Sequence, residues 1–332
     1  MNRLRIAALV FILSTVHAFA ADAPPARTVA ILEIDWITEA AQARTEEPTN
    51  TNQVVMHPIA TFSGGKWISA NAFDGTGENA DTPVSPKSEK ETAAYWEGLK
   101  AQPYFNAYDK AVTFTTKAYE QAQGALEEKL KMLSGEITGA TLKDYSENML
   151  VWNSDTPAPK PEAIAKFEYL DRVLPSMKTA MKPAEDEIAG SDDPMGFDRT
   201  KVQAPSIVEA IRFRLDADRD AYWVHARQNY TTAERKEEEP EWQGHYFAIV
   251  ACPRGKEKET AEWSLLWQYA MVDTGEGMWG SLREFKGALD VSGDGTAEVV
   301  VEEVFYERSY YTLLELNGKQ FKLVSTGWDL GV

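Results

Sequence analysis

The 332-residue chain contains one cysteine, Cys252, so no disulfide can form within it and the fold must rest on its core or on a metal. Histidine is nearly as scarce. Beyond the N-terminal leader only His57, His225 and His245 occur, and none has the spacing of a zinc-ligand pair. Positive charge is in deficit, with 34 Lys and Arg against 52 Asp and Glu and a formal net charge of −18. That balance opposes nucleic acid and anionic membranes and favours solubility and cation binding. After residue 20 no stretch approaches the roughly 18 consecutive apolar residues that a membrane-crossing helix needs. A G-x-S-x-G nucleophile elbow is missing too, since Ser281 lacks the flanking glycines. Residues 74–80, DGTGENA, place Gly75, Gly77 and Ala80 at dinucleotide-fingerprint spacing, but no strand precedes them, and Glu78 and Asp81 would repel a pyrophosphate.

What is present begins with the leader. Arg3 and Arg5 precede the apolar run IAALVFIL, and Ala18-Phe19-Ala20 supplies a small-x-small cleavage site. The pattern predicts a signal peptide over 1–20 and a periplasmic or secreted mature protein. With no cysteine near the cut, a lipid anchor is not expected.

Residues 28–34, TVAILEI, predict a short buried strand, and Ser63-Gly64-Gly65-Lys66 between Phe62 and Trp67 predicts a hairpin turn. Ser88 and Glu91 have capping-box spacing and predict a helix toward Leu99. Tyr119, Ala122, Leu126, Leu130 and Leu133 recur at three- and four-residue intervals and predict a second helix ending at Gly135. Three alternating prolines mark 155–163, DTPAPKPEA, as a linker. A third helix is predicted from Pro161, with Ile164, Phe167, Leu170 and Leu174 on one stripe, followed by a polar loop over 182–202. After Ile207 the period becomes two and strands follow one another, with Asn317-Gly318 as the strongest hairpin signal. The expected fold class is therefore α+β: an N-terminal domain of mixed helix and strand over 21–154, the linker, and a mainly antiparallel β domain over 164–332.

One stretch carries specific chemistry. In DVSGDGTAEVVVEE, residues 290–303, oxygen-bearing side chains alternate and then give way to a β-branched run. Calcium takes six to eight hard oxygens, which a tight loop supplies by turning alternate side chains inward. Asp290, Ser292 and Asp294 fill the first, third and fifth positions. Gly295 permits the turn that brings the Thr296 carbonyl round, and Glu298 stands at the ninth position. An EF-hand would need glutamate at the twelfth, where Val301 stands, and a helix beyond it.

DVSGDGTAE resembles the D-x-(D/N/S)-x-D-G-x-x-(D/E) calcium loop of integrin-like FG-GAP or VCBS repeats, and the resemblance covers about 285–326. It implies a β-rich repeat unit with Asp290, Ser292, Asp294, Thr296 and Glu298 around calcium. The FG-GAP signature itself is absent, and serine replaces the usual carboxylate at the third position. LDADRDAYWV, from Leu215, aligns with LDVSGDGTAE, from Leu289. Asp216, Asp218 and Asp220 match, but Ala221 replaces the turn glycine and Val224 the ninth-position acid, so this reads as a degenerate repeat with an empty or weak site.

Trp263, Leu265, Trp267, Tyr269 and Met271 share one face of a candidate strand that is apolar on both sides, which suits a central buried strand better than a sugar-stacking platform. The expectation is thus an exported, non-catalytic binding or scaffolding protein with a calcium-stabilised β domain and a protein or glycan partner. The alternative is an extracytoplasmic carbohydrate-active enzyme or carbohydrate-binding protein.

Overall fold

A computed structural model describes residues 26–33, 53–69, 104–108, 111–123, 129–138, 149–154, 156–190, 197, 202–230, 242–259, 262–273, 282–305 and 309–329. The leader, the helix expected between Ser88 and Leu99, and the DGTGENA stretch lie outside them.

The described residues of the first half form strands: β1 (Arg27–Glu33), β2 (Gln53–Ser63), β3 (Lys66–Ser69), β4 (Tyr104–Asn106), β5 (Ala111–Gln123), β6 (Lys129–Thr138) and β7 (Met149–Trp152). Their antiparallel pairing runs β1-β7-β4-β5-β6-β2 and returns from β2 to β1, so six strands close into a barrel, with β3 added beside β2. Closure removes the exposed edges that an open sheet would leave. Gly64 and Gly65, with φ of 58° and 75°, form the β2–β3 turn expected of them.

This overturns the α+β expectation. The chain is mostly β, in three antiparallel sheets, and the segment read as a helix over 119–133 is the β5–β6 pair. The reason is visible in the register: Tyr119 lies opposite Leu133 and Ala122 opposite Leu130. Apolar positions placed symmetrically about residue 126 satisfy a helical spacing and an antiparallel pair equally well. The β-branched and aromatic run 112–116, together with Gly124, tips the balance to strand.

The second half holds two further sheets. The outer sheet has the order β12-β11-β10-β9-β8, from β8 (Glu162–Ala163), β9 (Ser206–Arg214), β10 (Arg219–Tyr230), β11 (Trp242–Pro253) and β12 (Ser264–Asp273). The middle sheet is β13 (Leu282–Leu289), β14 (Glu298–Val304), β15 (Ser309–Asn317) and β16 (Gln320–Asp329), paired in chain order. Asn317-Gly318 closes its last hairpin, with Gly318 at φ 68°.

The single helix among the described residues, α1 (Leu170–Ala189), starts later than expected and continues eight residues into the segment expected to be a loop over 182–202. Pro161 instead precedes β8. Val173, Met177 and Met181, spaced by four, form the buried stripe that carries α1 onward, while Ile164 and Phe167 join the same core ahead of it.

The layers stack as barrel, middle sheet, outer sheet and helix. Val29, Ile31, Ile59 and Leu150 of the barrel pack on Leu289, Val300, Tyr311 and Leu313. The opposite face of the middle sheet, with Val299, Val301 and Leu314, meets Trp223, Phe247 and Ile249. Beyond those, Tyr222, Val224, Tyr246 and Ala248 face α1. β10, β11, β14 and β15 are thus covered on both sides, which explains their near-continuous apolar runs.

Specific contacts fix the barrel to the middle sheet. The Ser325 hydroxyl donates to the Ile59 carbonyl at 2.9 Å, the Trp67 indole N–H to Glu315 at 2.9 Å, and the Ala288 amide to the Tyr108 hydroxyl at 3.1 Å. The proline-rich stretch joins in, with buried Ala158 donating its amide to the Ala107 carbonyl at 2.7 Å.

Candidate functional site

The aspartate-rich stretch forms the loop between β13 and β14, where the expected calcium residues meet different surroundings. Glu298, 2 % exposed, opens β14 with its carboxylate turned back under the loop. Its Oε2 accepts the amides of Val291 at 2.6 Å and Ser292 at 3.3 Å. Burial pushes its pKa up to about 8, Asp290's charge adds to the rise, and the bonds from Ser292 and Val291 offset only part of it.

Asp290 directs Oδ2 to the Gly295 amide at 3.2 Å, while its buried Oδ1 has no hydrogen-bond partner. Ser292 Oγ accepts the Asp294 amide at 3.4 Å, and Asp294, exposed at the tip, accepts the Thr296 amide at 2.7 Å. Gly293 and Gly295 take φ of 78° and 89°, the left-handed region that favours glycine. At Gly293 space is short as well, since a Cβ would lie 2.2 Å from Arg27 Nη1.

The structure therefore brings Asp290 and Glu298 together and leaves the Asp294 carboxylate committed to its own turn. Among the described residues no three His, Cys, Asp or Glu side chains converge as a metal-holding group. The donor set still fits a hard cation. It consists of oxygen alone, one buried carboxylate oxygen is unpartnered among the described residues, and the deepest carboxylate sits beside a second acid with no described residue forming an ion pair to it.

The related loop, 215–218, joins β9 to β10 and is closed differently. Asp216 accepts the amides of Asp218 at 2.9 Å and Arg219 at 2.7 Å, and its other oxygen takes the Arg219 guanidinium at 2.7 and 2.8 Å. Burial raises the Asp216 carboxyl, but Arg219 and the two amides outweigh it and hold the pKa below the usual value. Asp220 pairs with Arg254 at 3.3 Å, and Arg254 also reaches the Asp216 carbonyl at 3.2 Å. Guanidinium groups neutralise these aspartates. Val224, at the ninth position, is packed in the core against α1.

A third cluster was not legible in the sequence. His225 on β10 and His245 on β11 place Nε2 and Nδ1 3.0 Å apart, with His225 stacked on Phe247 at 4.3 Å between ring centroids. Burial first, then His245 and Arg227, lowers the His225 pKa to about 3. Burial also lowers His245, against the pull of buried Asp273. The pair needs the β10–β11 register, in which Arg227 faces His245 and His225 faces Phe247.

The tryptophans expected on one face are separated. A bulge in the β11–β12 pairing at Ile249/Val250 shifts the alternation. Trp263 packs with Phe167, Tyr169 and Tyr222 on the helix side, while Trp267 stacks on Trp223 at 5.7 Å on the middle-sheet side. β12 is also an edge strand, not a central one.

No family model, curated protein or solved structure matches this chain. Among the described residues no helix is long and apolar enough to cross a membrane.

Proposed function

We propose that this is an exported binding or scaffolding protein whose β13–β14 loop takes up calcium and thereby pins the first hairpin of the middle sheet. The observation that carries the proposal is the meeting of buried Glu298 with Asp290, whose inner oxygen lacks a partner, beneath a loop turned by two left-handed glycines. Asp290 and Glu298 would hold the ion from below, with Ser292, Asp294 and the Thr296 carbonyl completing an oxygen shell of the FG-GAP or VCBS kind. The ion would supply charge neutralisation and cross-linking of the two strands, not chemistry on a substrate.

The support for export is the leader sequence, and the support for a binding role is the structural character of the loop. Titrating calcium into metal-stripped full-length protein tests the metal component. The expected result is a saturable heat and a melting temperature that climbs with calcium concentration. Unchanged melting together with no heat would overturn it.

A further inference from the structure

The residues around the second loop also frame a cleft of about 670 Å³, where β8, the end of β9, the start of β10 and the turn after β11 meet. That volume lies within the range of small-molecule sites. Four cations line it, Lys160, Arg212, Arg214 and Arg254, in a chain where acids outnumber bases 52 to 34. The three acids of the lining are all engaged. Glu162 pairs with Arg212 at 2.5 Å, Asp220 with Arg254 at 3.3 Å, and Glu257 accepts the Gly255 amide at 3.2 Å.

Neither Lys160 nor Arg214 forms an ion pair with any described residue. Arg212 and Arg254 spend only part of their five N–H donors on the acids named and on the Asp216 carbonyl. The backbones that carry these two side chains are also held in place. Arg212 lies within β9, and the Arg254 amide donates to the Asp218 carbonyl at 2.9 Å. Spare planar donors beside two unpaired cations suit a ligand presenting two or more oxyanion groups.

We infer that this cleft binds a small polyanion, a molecule carrying several carboxylate or phosphoryl groups, through Lys160, Arg212, Arg214 and Arg254. The inference is independent of calcium at the β13–β14 loop.

Calorimetric titration of metal-stripped, chelator-free protein with succinate and, separately, with inorganic phosphate tests it. Saturable binding of one or both at a single site, weakened by added salt, is expected, and the tighter of the two probes identifies the preferred oxyanion. The double variant K160E/R214E should weaken binding by about tenfold or more. K256A, on the same turn but paired with Glu259 and Glu262, should leave it unchanged. Absence of saturable binding by both probes, or equal affinity in wild type and K160E/R214E with unchanged melting temperatures, would overturn the inference.

Discussion

The amide of Ala297 donates to the carbonyl of Leu215 at 2.8 Å, so the last turn of the β13–β14 loop is hydrogen-bonded to the first residue of the β9–β10 loop. The two stretches that align in sequence are neighbours in space. Each opens a four-stranded antiparallel meander, β9 to β12 and β13 to β16, and the two meanders pack face to face. One loop pairs Asp216 with Arg219, and Asp220 beside it pairs with Arg254, whereas in the other no described residue forms an ion pair with Asp290 or Glu298.

Calcium should therefore act on one loop only. At about a hundredfold excess over its dissociation constant, a ligand specific to the folded state adds about 2.7 kcal/mol of stability, roughly 4 °C in melting temperature for a protein of this size. E298Q keeps an acceptor for the Val291 amide but removes the carboxylate, so its calcium-free melting should stay near wild type while the calcium-induced shift disappears. D216N should leave that shift intact. Differential scanning calorimetry with and without calcium reads both.

The two loop glycines should differ when replaced. Gly295 has φ 89° and open space around its Cβ position, so G295A should cost only the left-handed backbone term, about 1–2 kcal/mol. Gly293 has φ 78° and the Arg27 guanidinium against it, so G293A should cost more. That excess should be small, because the contact is with the end of a flexible side chain, and should vanish in an R27A background, which removes it. Urea denaturation of the four proteins completes the cycle.

Acid should weaken the fold through the histidine pair. In the unfolded chain His225 and His245 take up protons near pH 6.5, whereas in the folded protein His225 resists protonation down to about pH 3 and His245 is also depressed. The unfolded state then binds more protons, and the contribution, complete above the unfolded value, is lost as pH falls from about 6.5 toward 3. H225Q should flatten the fall in stability by about one proton per molecule across that window. Denaturant midpoints measured at a series of pH values give the slope.

Barrel docking should depend on a single missing side chain. A Cβ on Gly287 would lie 2.1 Å from the Tyr108 hydroxyl and 2.4 Å from Leu150 Cδ2, so G287V should destabilise by about 3 kcal/mol or more through overpacking. Y108F keeps the ring but leaves the Ala288 amide without its acceptor, a loss of about 1–3 kcal/mol. Thermal melts of the two variants should rank in that order.

Much of the second half was legible because β10, β11, β14 and β15 are buried on both faces, which writes them as long apolar runs bounded by turns. β13 is less plain in the sequence, since Arg283, Glu284, Lys286 and Gly287 break the apolar pattern. The barrel was misread where apolar spacing about residue 126 fits helix and strand pair alike. The turn between β13 and β14 was legible because the glycines and short polar residues that form it are local in sequence. The histidine pair, the separation of Trp263 from Trp267 and the cationic cleft depend on register, a bulge and the meeting of four distant segments, and no local spacing records them.

The Ser325 hydroxyl and the Ile59 carbonyl are 266 residues apart in sequence. During synthesis the barrel strands emerge early, yet the sheet that covers their outer face is finished only with β16. Val29, Ile31 and Ile59 must wait uncovered through most of translation. Contacts of such long range slow folding and leave apolar strand surface open to aggregation in the interval. The stage at which the barrel most needs protection is the one just before β16 is made.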